Sequence, residues 1–239
     1  MSHSLDGKSV LVAGGTSGAG LALAKAAAAL GATVHLIGRS GEKLATAQAL
    51  IGERAVAHQA DIGDEAAVRA LAARIGTVDH LVSTAAILTF KPFLEMSNGE
   101  MDGILTSKLW GPVYLVRHFA PAMTRDGSIT FVSGSAAYKA SAGGSMVAAA
   151  NAAMDGLART LAVELAPIRV NVVSPGVFDS ATWDMLPAAS RAQVLNSIGR
   201  SLPVGRVGTV DDIADAILFF INNGFASGTV LQVDGGANA

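Results

Sequence analysis

Val10-Leu11-Val12-Ala13-Gly14-Gly15-Thr16-Ser17-Gly18-Ala19-Gly20 is an apolar run that enters a glycine-spaced turn and leaves into an alanine-rich stretch. A strand, a tight turn and a helix start in that order make a phosphate cradle. Gly14 can take the sharp turn, Gly18 keeps a Cβ away from an approaching pyrophosphate, and Gly20 lets helix pack on strand. The helix start adds free N–H groups and the positive end of its dipole. A strand-to-helix turn with no ligand can carry the same glycines, so the flanking chain has to decide.

The flanks repeat the unit. Leu21 to Leu30 reads as a helix stopped at Gly31, and Thr33 to Ile37 as a β-branched strand, which completes a βαβ unit. The alternation continues with helix Glu42 to Ile51, strand Ala55 to Gln59, helix Asp64 to Ile75 and strand His80 to Ser83. Next come a loop over Ala85 to Ser97 and a long helix, Gly99 to Met123, interrupted at Gly111-Pro112. Strand Ser128 to Ser133, a small-residue loop Gly134 to Gly144, helix Met146 to Ala166 and strand Arg169 to Ser174 follow. Helix Val210 to Ile221 and strand Thr229 to Val233 close the series. The pattern predicts a doubly wound α/β fold with a parallel sheet. Val177 to Arg200, with Trp183 and Met185, is long and irregular enough for a lid over a cleft.

Composition bounds the partners. The 239 residues fit one α/β domain, and 51% hydrophobic residues supply its core. A charged fraction of 15% and a net charge of -2 give no electrostatic case for nucleic acid or an anionic membrane, so a small molecule is the expected partner. There is no cysteine, and His3, His35, His58, His80 and His118 lack metal-ligand spacing, so no metal is expected. The start has no apolar signal core and no uncharged run is long enough for a bilayer, so a cytoplasmic location is expected.

At the tip of the second strand, where an adenosine ribose would lie, stands Gly38-Arg39-Ser40 rather than a carboxylate. An arginine fork suits a 2′-phosphate, which favours NADP over NAD; the plainer alternative is a solvated surface arginine. Asp61, before Ile62, either caps the helix that follows or accepts from an adenine amino group. Pro112 cannot donate to the carbonyl of Lys108, so a kink and an unpaired carbonyl are expected there.

Together these residues resemble the short-chain dehydrogenase/reductase family over essentially the whole chain. The resemblance rests on Gly14, Gly18 and Gly20, on Asp61, on Pro175-Gly176, and on Gly228 with Val233-Asp234-Gly235-Gly236. It implies a seven-stranded parallel sheet flanked by helices, a nicotinamide cofactor across the strands' carboxyl ends, and a homo-oligomer, dimer or tetramer. The implied cofactor contacts are Gly14, Thr16, Ser17, Gly18, Ala19, Gly20, Arg39, Ser40, Asp61, Ile62, Ala85, Ala86, Pro175, Gly176, Val177 and Ser180, the last resembling the family's carboxamide-binding threonine.

The chain departs from the family in its chemistry. Counting back from Gly156 to Ala166, Val147 stands at the family's tyrosine and Asn151 at its lysine. Its serine position falls on Gly134, between Ser133 and Ser135, and its asparagine position on Lys108. Ser83-Thr84-Ala85-Ala86 replaces Asn-Asn-Ala-Gly. In the family the asparagine and lysine share a water, so Lys108 with Asn151 looks like the same amine and amide exchanged between two helices. A desolvated Lys108 would have a lowered pKa and could donate a proton; the alternative is that it snorkels to solvent. Tyr138 is a second candidate acid, with Lys139 beside it to lower its pKa, and is otherwise a surface residue. Two functions stand open: an NADP(H)-dependent oxidoreductase for a small carbonyl or alcohol using Lys108, Ser135, Tyr138 and Asn151, or a silent NADP(H)-binding sensor or scaffold. Leu88, Phe90, Phe93, Trp183 and Met185 suggest an apolar cleft, and each could instead be core.

Overall fold

Strand β1 (Ser9–Ala13) lies near the middle of a parallel sheet, between β2 (Thr33–Gly38) and β4 (His80–Ser83), and its apolar run is buried on both faces. The computed structural model describes residues 4–239, apart from the side chains of Ala181 and Met185. His3 and the expected cleft contact of Met185 therefore lie outside the described residues. The other strands are β3 (Ala55–Gln59), β5 (Ser128–Val132), β6 (Arg169–Pro175) and β7 (Val230–Val233). The sheet order is β3-β2-β1-β4-β5-β6-β7. The chain winds outward from β1 in one direction and from β4 in the other, so the crevice where such sheets take ligands opens at the tips of these two strands.

Alternate residues of each strand feed opposite faces. Val10, Val12, Val34 and Leu36 pack with Leu23 and Ala27 of α1 (Gly18–Ala29) and with Ile217 and Phe220 of α8 (Val210–Asn222). On the other face Leu11, Leu81 and Phe131 pack with Leu115 and Phe119 of α5 (Gly111–Phe119) and Met154 and Ala158 of α6 (Ser145–Glu164). Truncating a ring as deep as Phe119 to alanine is expected to cost about 3–5 kcal/mol.

Polar caps fix where the helices begin. Ser40 accepts from the Lys43 N–H at the start of α2 (Gly41–Ile51). Asp64 accepts from the Ala66 and Ala67 N–H groups of α3 (Glu65–Ile75), so the cap is Asp64 and not Asp61. Ser97 and Glu100 form a capping box on α4 (Asn98–Leu105).

The interruption expected at Gly111-Pro112 takes the form of one π turn, Thr106–Trp110, in which the Gly111 N–H reaches back to the Thr106 carbonyl. Lys108 is buried in its middle. The segment 177–200 is not irregular throughout: after a short 3-10 turn, Ala181–Met185, it forms α7 (Ala188–Ser201), whose alanine, glutamine and leucine residues are good helix formers. Among the described residues no helix is long and apolar enough to cross a membrane.

Candidate active site

The glycine turn is built by contact. Gly14 has φ 85°, and a Cβ there would stand 2.6 Å from Thr84 Oγ1 and 2.7 Å from the Ala85 nitrogen. A Cβ on Gly20 would run into the Gly14 carbonyl and stand 2.5 Å from Thr84 Oγ1. So β1, the start of α1 and the tip of β4 meet at a point where side chains do not fit. Around Gly18, by contrast, an added Cβ would meet nothing. Ser17 occupies the N-cap of α1 without capping it, and the first turn holds no acidic side chain. The first N–H groups of α1, at Gly18, Ala19 and Gly20, have no intrahelical partner to reach, and the open space beside Gly18 leaves room for an anion there.

Arg39 is exposed at the tip of β2 and forms no ion pair among the described residues, while Gln59 Nε2 donates to its carbonyl at 2.9 Å. Thr16 lies against the same strand end, its Cγ2 3.0 Å from where a Gly38 Cβ would be. The Ser40 hydroxyl is engaged as the α2 cap. Asp61 accepts from the Gly63 N–H through Oδ1 at 2.9 Å, leaving Oδ2 toward solvent. The Ile62 side chain is core, so only its backbone can meet a ligand.

Ala85 and Ala86 sit just past β4 at the crevice. Across it, Pro175 ends β6, and Gly176 lies so close to the C-terminal turn that a Cβ would be 2.7 Å from Asp234 Cα. The Val177 carbonyl accepts from the Gly208 N–H at 3.0 Å, and Ser180 caps the turn that follows. Arg191 of α7 ties that turn down through Asp179 at 2.5 Å and Asp184 at 2.7 Å.

Beyond β5 lies a buried polar cluster. Lys108 is only 6% exposed, which rules out snorkelling, and its Nζ donates to the Ser133 carbonyl at 3.2 Å. Burial brings its pKa down to about 8, against the opposing pull of the Asp155 charge. Asn151 is 2% exposed, and its Nδ2 donates to the next carbonyl, Gly134, at 3.4 Å. The π turn and α6 therefore place an amine and an amide on consecutive carbonyls of one strand exit.

Two positions that carry hydroxyls or phenols in the family are filled by packing here. Val147 is buried with Ile104, Met96 and Ala150 in a small apolar cluster. At Gly134 a Cβ would stand 2.9 Å from Asn151 Nδ2. Ser133 is buried with an unpartnered hydroxyl, whereas Ser135 is half-buried at the start of a 3-10 turn.

Lys139 does not activate Tyr138, which corrects the expectation from sequence: its Nζ donates to the Ala237 carbonyl at 3.2 Å. The Tyr138 hydroxyl instead donates to Oδ2 of Asp155. Burial and that carboxylate push the phenol up to about 12, a poor acid at neutral pH. Asp155 was not singled out from the sequence, although it stands four residues after Asn151 and so on the same helix face. Leu88, Phe90 and Phe93 are exposed, not core, and Phe90 lies beside Gly144 at the mouth of this loop. Trp183 is half-buried, its Nε1 donating to the Phe178 carbonyl.

Residues 13–238 match the family described as Enoyl-(Acyl carrier protein) reductase. The chain is 31% identical to nodulation protein G of Rhizobium sp. (strain N33), over 97% of each. It is also 31% identical to the cis-2,3-dihydrobiphenyl-2,3-diol dehydrogenase of Paraburkholderia xenovorans (strain LB400), over 97% of this chain and 91% of that one. The crystal structure of a small-chain dehydrogenase in complex with NADPH superposes with a TM-score of 0.81 at 34% identity, covering 98% of this chain and 99% of that one. Similarity of this length takes in the glycine turn, the crevice and every strand after them, and the chain belongs to the short-chain dehydrogenase/reductase family.

Proposed function

We propose that this protein is an NADP(H)-dependent oxidoreductase acting on a small, apolar carbonyl or alcohol, with Lys108 as its proton donor. The cradle fits the cofactor. The free N–H groups of Gly18, Ala19 and Gly20 would hold the pyrophosphate, with Gly14, Thr16 and Ser17 shaping the turn. Asp61 Oδ2 and the Ile62 backbone would meet the adenine. Arg39, with the Ser40 backbone, would meet a 2′-phosphate; its guanidinium carries no competing ion pair among the described residues. Ala85, Ala86, Pro175, Gly176, Val177 and Ser180 would line the nicotinamide end. A structural relative holds NADPH.

With a bound cofactor that would supply hydride to the carbonyl carbon, the protein must supply a proton to the oxygen. Lys108 supports that role through burial and a pKa near the working pH. Its ammonium has three protons, of which the Ser133 carbonyl takes one. Ser133 and Ser135 are the hydroxyls nearest in sequence to the family's serine position, and Asn151 fixes the strand exit from the other side. The exposed Leu88, Phe90 and Phe93 favour an apolar substrate. The buried Lys108 is the observation that carries this reading. One observation favours the silent binder: Val147 fills the family's tyrosine position with apolar core.

NADPH oxidation across a panel of aldehydes, ketones, quinones and imines separates the two. The expected result is turnover with at least one class, lost in Lys108→Met while NADPH binding persists. Tight NADPH binding with no turnover anywhere would select the binder.

A further inference from the structure

Asp155 belongs to no ion pair among the described residues although it is 4% exposed. A carboxylate taken out of water is costly unless hydrogen bonds and opposite charge compensate it. Its Oδ2 takes the Tyr138 hydroxyl, while Oδ1 has no partner. Asn151 Oδ1, one helical turn before Asp155, and Ser133 Oγ are likewise buried and have no partner among the described residues. Helix α6 packs against the π turn that carries Lys108, Asp155 lies one turn beyond Asn151 on that helix, and its carboxylate acts on the Lys108 amine through space without forming an ion pair with it among the described residues. Arg159, one turn further along α6, acts on Tyr138. Tyr138 is 45% exposed, so one edge of its ring faces solvent while its hydroxyl reaches the interior.

We propose that Asp155 is a positioning residue of this site, a buried carboxylate that serves as the counter-charge of Lys108 and fastens the loop 134–144 through the Tyr138 hydroxyl. The inference rests on the reading of Lys108 as the working ammonium and adds what keeps it charged. It also gives Tyr138 a role other than acid: the phenol is the donor that shares the Asp155 carboxylate.

The test uses the full chain labelled with 13Cε-lysine and 13Cζ-tyrosine and followed by NMR against pH. The chain has six lysines and two tyrosines, so Lys108→Met and Tyr138→Phe assign the signals. In the unmutated protein Lys108 should titrate at about 8 and Tyr138 at about 12. In Asp155→Asn the Lys108 midpoint should fall by about one unit or more, because the charge that favours the ammonium is gone. Tyr138 should fall toward its ordinary value in the same variant. An unmoved Lys108 midpoint in Asp155→Asn would overturn the counter-charge while leaving the buried amine intact. A Lys108 that titrates like an exposed lysine would instead overturn the reading of the site itself. Should Asp155→Asn fail to fold, the unmutated protein still decides the fastening, because a Tyr138 that ionises near 10 is not bonded to a buried carboxylate.

Discussion

The side chain of Asn151 occupies the space that any side chain at residue 134 would need: a Cβ on Gly134 would stand 2.9 Å from its Nδ2. These are the positions at which the family resemblance sets a lysine and a serine, so the two departures are sterically one. Gly134→Ala should lower stability by about 1–3 kcal/mol, the range for overpacking a filled interior. In an Asn151→Ala background the same change should cost little. Equal costs in both backgrounds, by urea unfolding, would show that the contact does not couple the two.

On the proposed reading, Arg39 sets the cofactor choice. Losing a charge-assisted contact to a 2′-phosphate costs on the order of 1.5–3 kcal/mol, so Arg39→Ala should weaken NADPH about tenfold or more and leave NADH nearly unchanged. Calorimetry with both cofactors checks this, and equal affinities in the unmutated protein would contradict it.

Two histidines make the fold acid-sensitive. Arg74 donates to His58 Nδ1 at 3.3 Å, so His58 Nε2 carries the proton and donates to His35 Nδ1 at 2.9 Å. Burial first, then the His35 and Arg74 charges, hold His58 down at about 4; burial holds His80 at about 4 as well. Unfolded histidines bind protons at 6.5, so between pH 6.5 and 4 the unfolded chain takes up more protons than the fold. Stability should be fully present above pH 6.5 and fall as pH drops to 4, by on the order of 2–3 kcal/mol for each ring. Urea midpoints between pH 7 and 4.5 test it, and His80→Gln should flatten the slope.

The long helices leave an apolar groove. Val113, Val116, Ala120 and Pro121 of α5 and the turn after it face Leu157, Leu161 and Leu165 near α6 across about 540 Å³, with Arg117 and Glu164 also lining it. Apolar surface of this kind favours association, and a second copy of the chain is the expected occupant. Light scattering at micromolar concentration should give a dimer or tetramer, and Leu161→Lys should shift it toward monomer.

Most of the fold was legible because its signals are local. The strand-to-helix turn at Gly14, the stop at Gly31 and the apolar period of each strand are fixed by backbone geometry and burial within a few residues. Helix α7 was misread as irregular because few of its residues, Leu195 and Gly199 among them, are buried, which leaves little periodicity to read. In the site, Lys108 and Asn151 were legible by position, but which hydroxyl or charge meets them was not. Asp155 meets Tyr138 across seventeen residues, through a loop whose course no local pattern dictates. Pairing Tyr138 with its sequence neighbour Lys139 failed for the same reason: adjacent residues in a turn point apart.

Lys108 and Asn151 read as one amine and amide exchanged between the two helices, and an unfolding cycle over the two decides whether they are. Asn151→Lys adds a second ammonium beside a buried one, and Val147→Tyr with Asn151→Lys restores the family's pair at the same cost. Adding Lys108→Asn to that double variant should recover stability, although Lys108→Asn alone removes a buried hydrogen bond. The exchange should show as a coupling of about 1 kcal/mol or more in favour of the complete swap; shifts that add within about 0.5 kcal/mol would contradict it.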